Sequence, residues 1–501
     1  MNDMKKLASL LLTAMLFLAS IAADAQGFFP QREIPEPTYK ELYRPQYHFS
    51  PSVGWIGDPC GLTYYQGKFH LFWWGKAESE DLVHYDEINR RAMQGGPRGI
   101  SYFTGSVLID KKGTAGFGEN TWVAAYTIAA RNPEKQSQGL SFSQDGRTFH
   151  WYDKNPVLDE WSTEFRDPTV FWHEETGQWV MVVGKVLAKK VGIYTSPNLK
   201  DWTWASDFGP AGDTEKAWEC PDLVQIPVEG TNEKKWVMIL SINWAQEQYF
   251  VGDFDGKTFT IGEGQPKTPQ YIDKGFDFYA SRVFRDYDGT LNDVISIGWV
   301  SHWDYARNIP NRPGQGLWSI PRVLKLKKTS DGYIMAQAPY KGLETLRGQG
   351  VSFTQEFPVG AKPMKFKPAS NVYEMDVTID ATQSNVVGFN LMAGNGHKLS
   401  VQYDTDSQHI TVDRTNTGDV VLEKFPRVAY AKVPPVNGKL RLRFFVDKSS
   451  VELFANDGED VFTFLAFPAE DQTGLEAFAL KKGTKMTVNA WPLGSIWNQK
   501  P

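Results

Sequence analysis

Cysteine is almost missing from this sequence, with two residues, Cys60 and Cys220, in a chain of 501. That excludes a disulfide scaffold, and a chain of this size builds its own core without staples. Histidine is sparse too: eight residues, scattered, with no C-x-x-C pattern beside them, give a zinc site little support. Long basic runs are absent and the formal net charge is −6. This argues against a nucleic-acid partner, whose phosphates require clustered Lys and Arg, and leaves neutral substrates as the better fit. Beyond the N-terminus, no stretch is apolar enough to span a bilayer.

The first 25 residues read as a secretory signal. Lys5 and Lys6 form its positive start, "LASLLLTAMLFLASIA" its apolar region, and Ala23-Asp24-Ala25 its A-x-A cleavage site, so the mature chain begins near Gln26. The alternative is a membrane anchor, but the apolar run is short for a spanning helix and ends in small residues. No cysteine stands at the cleavage site to take a lipid. The expected location is therefore outside the cytoplasm, periplasmic or extracellular, with no membrane insertion once the signal is removed.

What the sequence does have is a well-filled apolar and aromatic complement, 41% and 14% of residues, enough for two or three domains. The aromatic-rich strand candidates recur. "KFHLFWW", "TWVAAYT", "QWVMVVG", "KWVMILSIN" and "NDVISIGWV" start at residues 68, 121, 178, 235 and 292, so successive starts lie 53, 57, 57 and 57 residues apart. Several are followed by a polar turn and a second aromatic-bearing strand, as in "SEDLVHY", "SPNLKDW" and "GDFDGKTF". Short strands at this period fit four-stranded propeller blades. The expected fold is all-β: a five-bladed β-propeller in residues 26–340, its blades between about 45 and 335, followed by a C-terminal β-sandwich over 351–501. A sandwich array is the alternative for the first part, although it does not require such regular spacing. A connector is expected around 338–350, and alternating runs such as "NVYEMDVTI", "HKLSVQYD", "KLRLRFFVD" and "SVELFAND" read as sandwich strands.

Three acids keep register with the repeat. Asp58, held in the Gly57–Gly61 turn frame, lies 10 residues before its repeat strand; Asp167 lies 11 before the next and Glu219 lies 16 before its own. Asp277, 15 before the last, is a candidate fourth. Each falls on the segment that opens a blade, and such segments line the central channel of a propeller. Converging carboxylates suit glycoside hydrolysis, where one acid protonates the departing oxygen and another attacks or stabilises the anomeric carbon. Taken singly, Asp58 also reads as a turn former, Asp167 as a partner of Arg166, and Glu219 as a structural residue beside Trp218. Trp55, Trp73, Trp74, Trp161, Trp218 and Trp303 lie on or near the blade-opening segments, as sugar-stacking rings or as core packing.

The motifs taken in order resemble glycoside hydrolase family 32, the invertases, levanases, inulinases and fructan exohydrolases. "WIGDPCG" is similar to that family's W-M-N-D-P-N-G, "YFTGSVLID" to its F-S-G-S block, "FRDP" to its R-D-P and "WECPDL" to its E-C-P. "FDFYA", "IGWVSHWDYA", "IPRVL" and the closing "VDKSSVELFANDGEDVFTFLAFP" follow in the family's order. The resemblance implies a retaining, cofactor-free and metal-free mechanism on an oligo- or polysaccharide fructan. Asp58 would be the nucleophile, Asp167 the transition-state stabiliser and Glu219 the general acid/base. Arg166, Trp55, Trp74, Thr104, Cys220, Asp277 and Trp303 would bind substrate. A fructosyltransferase, including a difructose-forming one, a glycosidase for another furanose, and a non-catalytic sugar-binding propeller are the alternatives. Three positions depart from the family pattern: Gly57 and Cys60 replace Asn, and Trp74 replaces Gln.

Overall fold

The computed structural model describes residues 36–497 apart from 267 and 421, so the expected signal segment lies outside the described residues. Strands dominate, as the sequence predicts. Five sheets of at least four strands, mainly antiparallel, succeed one another along the chain, and the five repeat strands supply the second strand of each: Lys68–Phe72, Thr121–Arg131, Gln178–Lys185, Lys234–Ile242 and Val294–Trp299. The strands that open the blades are Gly61–Tyr65, Ile100–Asp110, Phe165–His173, Trp218–Pro227 and Tyr279–Val283. The second strands are near-continuously apolar because neighbouring blades cover both their faces. Val180, Val182, Ile193, Met238 and Leu240, for example, share one core between the third and fourth blades.

The turn-bearing segments of the repeat do not become whole strands. "SEDLVHY" and "SPNLKDW" form the connections between third and fourth strands, and one short polar side chain organises each such turn. Asp81 accepts the backbone N–H groups of Val83 and His84, Asp145 those of Arg147 and Thr148, Asn198 those of Lys200 and Asp201, and Asp255 those of Lys257 and Thr258. The hydrophobic residues that suggest a strand, Leu82 and Leu199, point from these turns into the core.

Two parallel contacts join the last blade to the first: Gly54–Trp55 pairs with Gly314–Gln315, and Arg285–Asp286 with Gly61–Tyr65. Of the connector, Ala338 and Pro339 still belong to the last propeller strand, while Lys341–Leu346 forms a 3-10 turn that buries Leu343 and Leu346. Two six-stranded sheets follow, closed over a core that includes Met375, Val377, Phe389, Leu391, Phe444 and Leu453. A buried polar network ties sandwich to propeller. Arg322 donates to Asp273, Gln337, Glu452 and Thr463, and His48 bridges Asp447 and Glu452 at 2.8 and 2.9 Å.

Candidate active site

The first residues of the blade-opening strands share an irregularity. In the second to fifth blades the pairing slips between Tyr102 and Gly105, Arg166 and Thr169, Glu219 and Asp222, and Tyr279 and Arg282. A bulge re-aims the side chains around it. In three of these blades the residue inside it is left-handed: Asp167 at φ 66°, Cys220 at 48° and Ala280 at 53°. None is glycine, so each conformation costs energy that the surrounding contacts repay. The Arg282 guanidinium supplies some of them, donating to the carbonyls of Cys220 and Pro221 at 2.8 and 2.7 Å.

The residues just before the three left-handed positions are Arg166, Glu219 and Tyr279, and their side chains meet. Arg166 Nε donates to Glu219 Oε1 at 2.7 Å and the Tyr279 hydroxyl to Glu219 Oε2 at 2.5 Å. Arg166 is itself held by Glu164 and Gln136. Asp167 Oδ2 accepts from the backbone N–H of Cys220 at 3.2 Å and faces its Sγ at 3.5 Å. The same sulfur lies 3.8 Å from Asp58 Oδ2, which also accepts the Thr104 hydroxyl at 2.6 Å. Asp58 Oδ1 is buried and takes no hydrogen bond from the described residues. An unpaired carboxylate oxygen is costly in a protein interior and available to a reacting atom.

Asp58, Asp167, Glu219 and Arg166 line one cavity of about 530 Å³ at the funnel end of the blades, with Gly57, Cys60, Thr104, Trp55, Trp73, Trp74 and Trp303. Burial lifts the Asp58 carboxyl to about 6, helped by the charge of Glu219 and opposed by the Thr104 hydrogen bond and Arg282. Burial also raises Asp167, against the pull of Arg166, and raises Glu219, with the Asp167 charge adding to it.

Asp277 does not join them. It lies at the base of the sandwich, fully buried, bonded to Tyr305, Arg414 and the N–H of Leu465. The repeat register points two residues further on, to Tyr279, because "FYA" aligns with "FRD" and "WEC" around the left-handed residue. Cys220 is only 1% exposed and touches the two acids with its sulfur, so it orients carboxylates and offers no open face to a sugar. Of the tryptophans, Trp161 stands 80% exposed under the Lys135 ammonium, and Trp218 is core, stacked on Phe208. Phe103, Trp244 and Arg307 line the funnel without having carried a signal in the sequence.

Both cysteines are free and buried. The departures at Gly57, Cys60 and Trp74 have local consequences. A Cβ on Gly57 would stand 3.0 Å from Trp55 Nε1, so the indole edge fills the space an asparagine would need. Cys60 Sγ turns back to the Asp58 carbonyl at 3.3 Å. Trp74 adopts φ 67° and donates its Nε1 to the Phe103 carbonyl at 3.0 Å, which fixes a wide ring in the funnel wall. Among the described residues no group of three or more His, Cys, Asp or Glu side chains is arranged to hold a metal ion, and no helix is long and apolar enough to cross a membrane.

The sequence and the fold both have counterparts among known proteins. Residues 48–339 match the glycosyl hydrolases family 32 N-terminal domain and residues 342–492 the family 32 C-terminal domain. The levanase of Bacillus subtilis (strain 168) is 38% identical over 503 residues, covering 92% of this chain and 72% of its own length. The extracellular exo-inulinase of Aspergillus awamori is 34% identical, covering 92% of this chain and 96% of its own. The crystal structure of the exo-inulinase from that organism superposes with a TM-score of 0.83 at 32% identity, over 92% of this chain and 100% of that one. A Schwanniomyces occidentalis fructofuranosidase complexed with fructosylnystose superposes at 0.80 and 28% identity, over 92% and 99%. With two family domains in order over most of its length and relatives above 30% identity along nearly all of it, the chain belongs to glycosyl hydrolase family 32.

Proposed function

We propose that this enzyme hydrolyses β-fructofuranosidic bonds of fructans or related fructosides with retention, Asp58 serving as nucleophile, Glu219 as general acid/base and Asp167 as stabiliser of the cationic transition state. The observation that carries the assignment is the unpaired Asp58 Oδ1 in the same cavity as a Glu219 held by Arg166 and Tyr279. Oδ1 attacks the anomeric carbon while the bond to the leaving oxygen breaks and Glu219 gives that oxygen its proton. Water then attacks the fructosyl-enzyme, Glu219 takes the water's proton, and Asp58 is released. The Tyr279 hydroxyl accepts as readily as it donates, so it serves Glu219 in both protonation states.

The same reading divides the chain into a signal at 1–25, a catalytic propeller at 26–340 and a supporting sandwich at 351–501, and exports the mature enzyme. Its support is the N-terminal pattern together with the extracellular exo-inulinase among its relatives. Product analysis on sucrose, inulin and levan, with the anomer of released fructose followed by NMR, tests the function. Retained anomer from the natural enzyme, and loss of turnover in Asp58→Ala and in Glu219→Ala, is the expected result. Inverted product, or unchanged turnover in either variant, overturns the assignment.

A further inference from the structure

A second cavity, of about 380 Å³, lies at the opposite end of the propeller axis. It is built from the far ends of the strands that carry the acids: Trp172 is five residues beyond Asp167 and Gln225 six beyond Glu219, roughly 16–20 Å along the strands. The two cavities share no lining residue, and on the strands between their levels the buried Arg282 guanidinium bonds the carbonyls of Cys220 and Pro221. The proposed mechanism uses none of its residues.

Its lining has a definite chemistry. Phe171, Trp172, Trp179 and Trp236 supply aromatic surface, with Trp172 and Trp236 half-buried. Three cations, Lys111, Lys112 and Arg285, face three carboxylates, Asp110, Glu174 and Asp286, so the cavity carries no net charge and favours neither an anion nor a cation. Asp110 and Asp286 are engaged by their own turns and Arg285 by Asp222 and the Leu223 carbonyl. Glu174 and Gln225 are exposed and make no side-chain hydrogen bond to the described residues, while the Lys112 ammonium hangs 4.5 Å over Trp172. Free donors and acceptors around flat rings, at zero net charge, match a neutral polyol with apolar ring faces.

We propose that this cavity is a second, non-catalytic saccharide site that holds the fructan whose bonds the funnel cuts. The identity of the ligand rests on the proposed function. Because the two sites lie at opposite ends of the strands and share no lining, a polymer engages both around the outside of the propeller, and the gain is retention near the enzyme by avidity. The site therefore affects polymers and leaves short fructosides untouched.

The test is retardation in gels containing levan or inulin, using the full chain with Glu219→Gln so that the polymer is not consumed. Adding Gln225→Ala or Trp172→Ala is expected to weaken retention at least three-fold. In the active enzyme the same changes should raise KM for the polymer by a similar factor and alter hydrolysis of a fructosyl trisaccharide less than two-fold. Trp172 packs edge-on against Trp179, so the exposed Gln225 carries the test if the tryptophan variant fails to fold. Intact trisaccharide hydrolysis with unchanged retardation overturns the second site, as does an equal loss on trisaccharide and polymer in Gln225→Ala. Absence of hydrolysis of any fructoside by the natural chain overturns instead the function on which the ligand's identity rests.

Discussion

Asp58 and Glu219 must hold opposite protonation states for the proposed first step, and their neighbours set the pH window. With Asp58 lifted to about 6, kcat/KM should fall as pH drops through that value, because the nucleophile becomes protonated. The Thr104 hydroxyl stabilises the charged form. Thr104→Val should therefore move the acid limb upward and lower kcat/KM about ten-fold at pH 5, read from pH–rate profiles, since one hydrogen bond to a charge is worth roughly 1.5–3 kcal/mol. Tyr279 acts on the other partner: its hydrogen bond favours ionised Glu219, so Tyr279→Phe should push the alkaline limb to higher pH while kcat falls. A limb that stays in place would remove Tyr279 from the acid's control. The pocket departures predict weak hydrolysis of sucrose and better activity on a longer fructoside that touches Trp74. Gly57→Asn with Trp74→Gln should then raise sucrose turnover, provided the Trp55 indole swings aside from the 3.0 Å contact. Rates on sucrose typical of glycosidases in the natural enzyme, unimproved by the double change, would refute this reading.

At the scale of the element, the repeated bulge at the funnel end of the blade-opening strands positions the chemistry. Asp167, Glu219 and Tyr279 owe their direction to a slipped register, and Cys220 holds φ 48° to allow it. Cys220→Ala retains the backbone and should fold with nearly native stability while loosening Asp58 and Asp167. Cys220→Val places a β-branched side chain in a left-handed conformation and should cost about 1–3 kcal/mol, measured as a lower urea midpoint with unchanged slope. Equal midpoints for the two variants would show that the bulge does not depend on this residue. The period of the repeat strands was readable because alternate blades bury the same apolar positions. The bulge was not, since no residue type in "FRDP", "WECP" or "FYAS" advertises a positive φ. Asp277 illustrates the cost: a register counted from strand starts selects it, whereas the slipped pairing selects Tyr279.

At the scale of the molecule, the sandwich holds the propeller through buried charge. Burial by itself would lower the His48 ring, but its bonds to Asp447 and Glu452 prevail and raise it from 6.5 to about 9. A raised folded value means that the stabilisation is complete below pH 6.5 and is lost as pH climbs through 9, up to about 3 kcal/mol, which denaturant titrations of the natural protein and His48→Gln should resolve. Arg322→Met, which takes the only arginine from the buried Asp273 and Glu452 pair of carboxylates, should cost roughly 3–5 kcal/mol. A propeller expressed alone that proved soluble, stable and fully active would end the supporting role. The sequence by itself determined the strands, their period, the order of the motifs and hence the family, because burial patterns and turn chemistry are local and repeat along the chain. Only the tertiary structure decided which side chains meet: the Tyr279–Glu219–Arg166 contact, the Trp55 edge over Gly57 and the burial of Asp277 under the sandwich depend on blades and sheets far apart in sequence packing together.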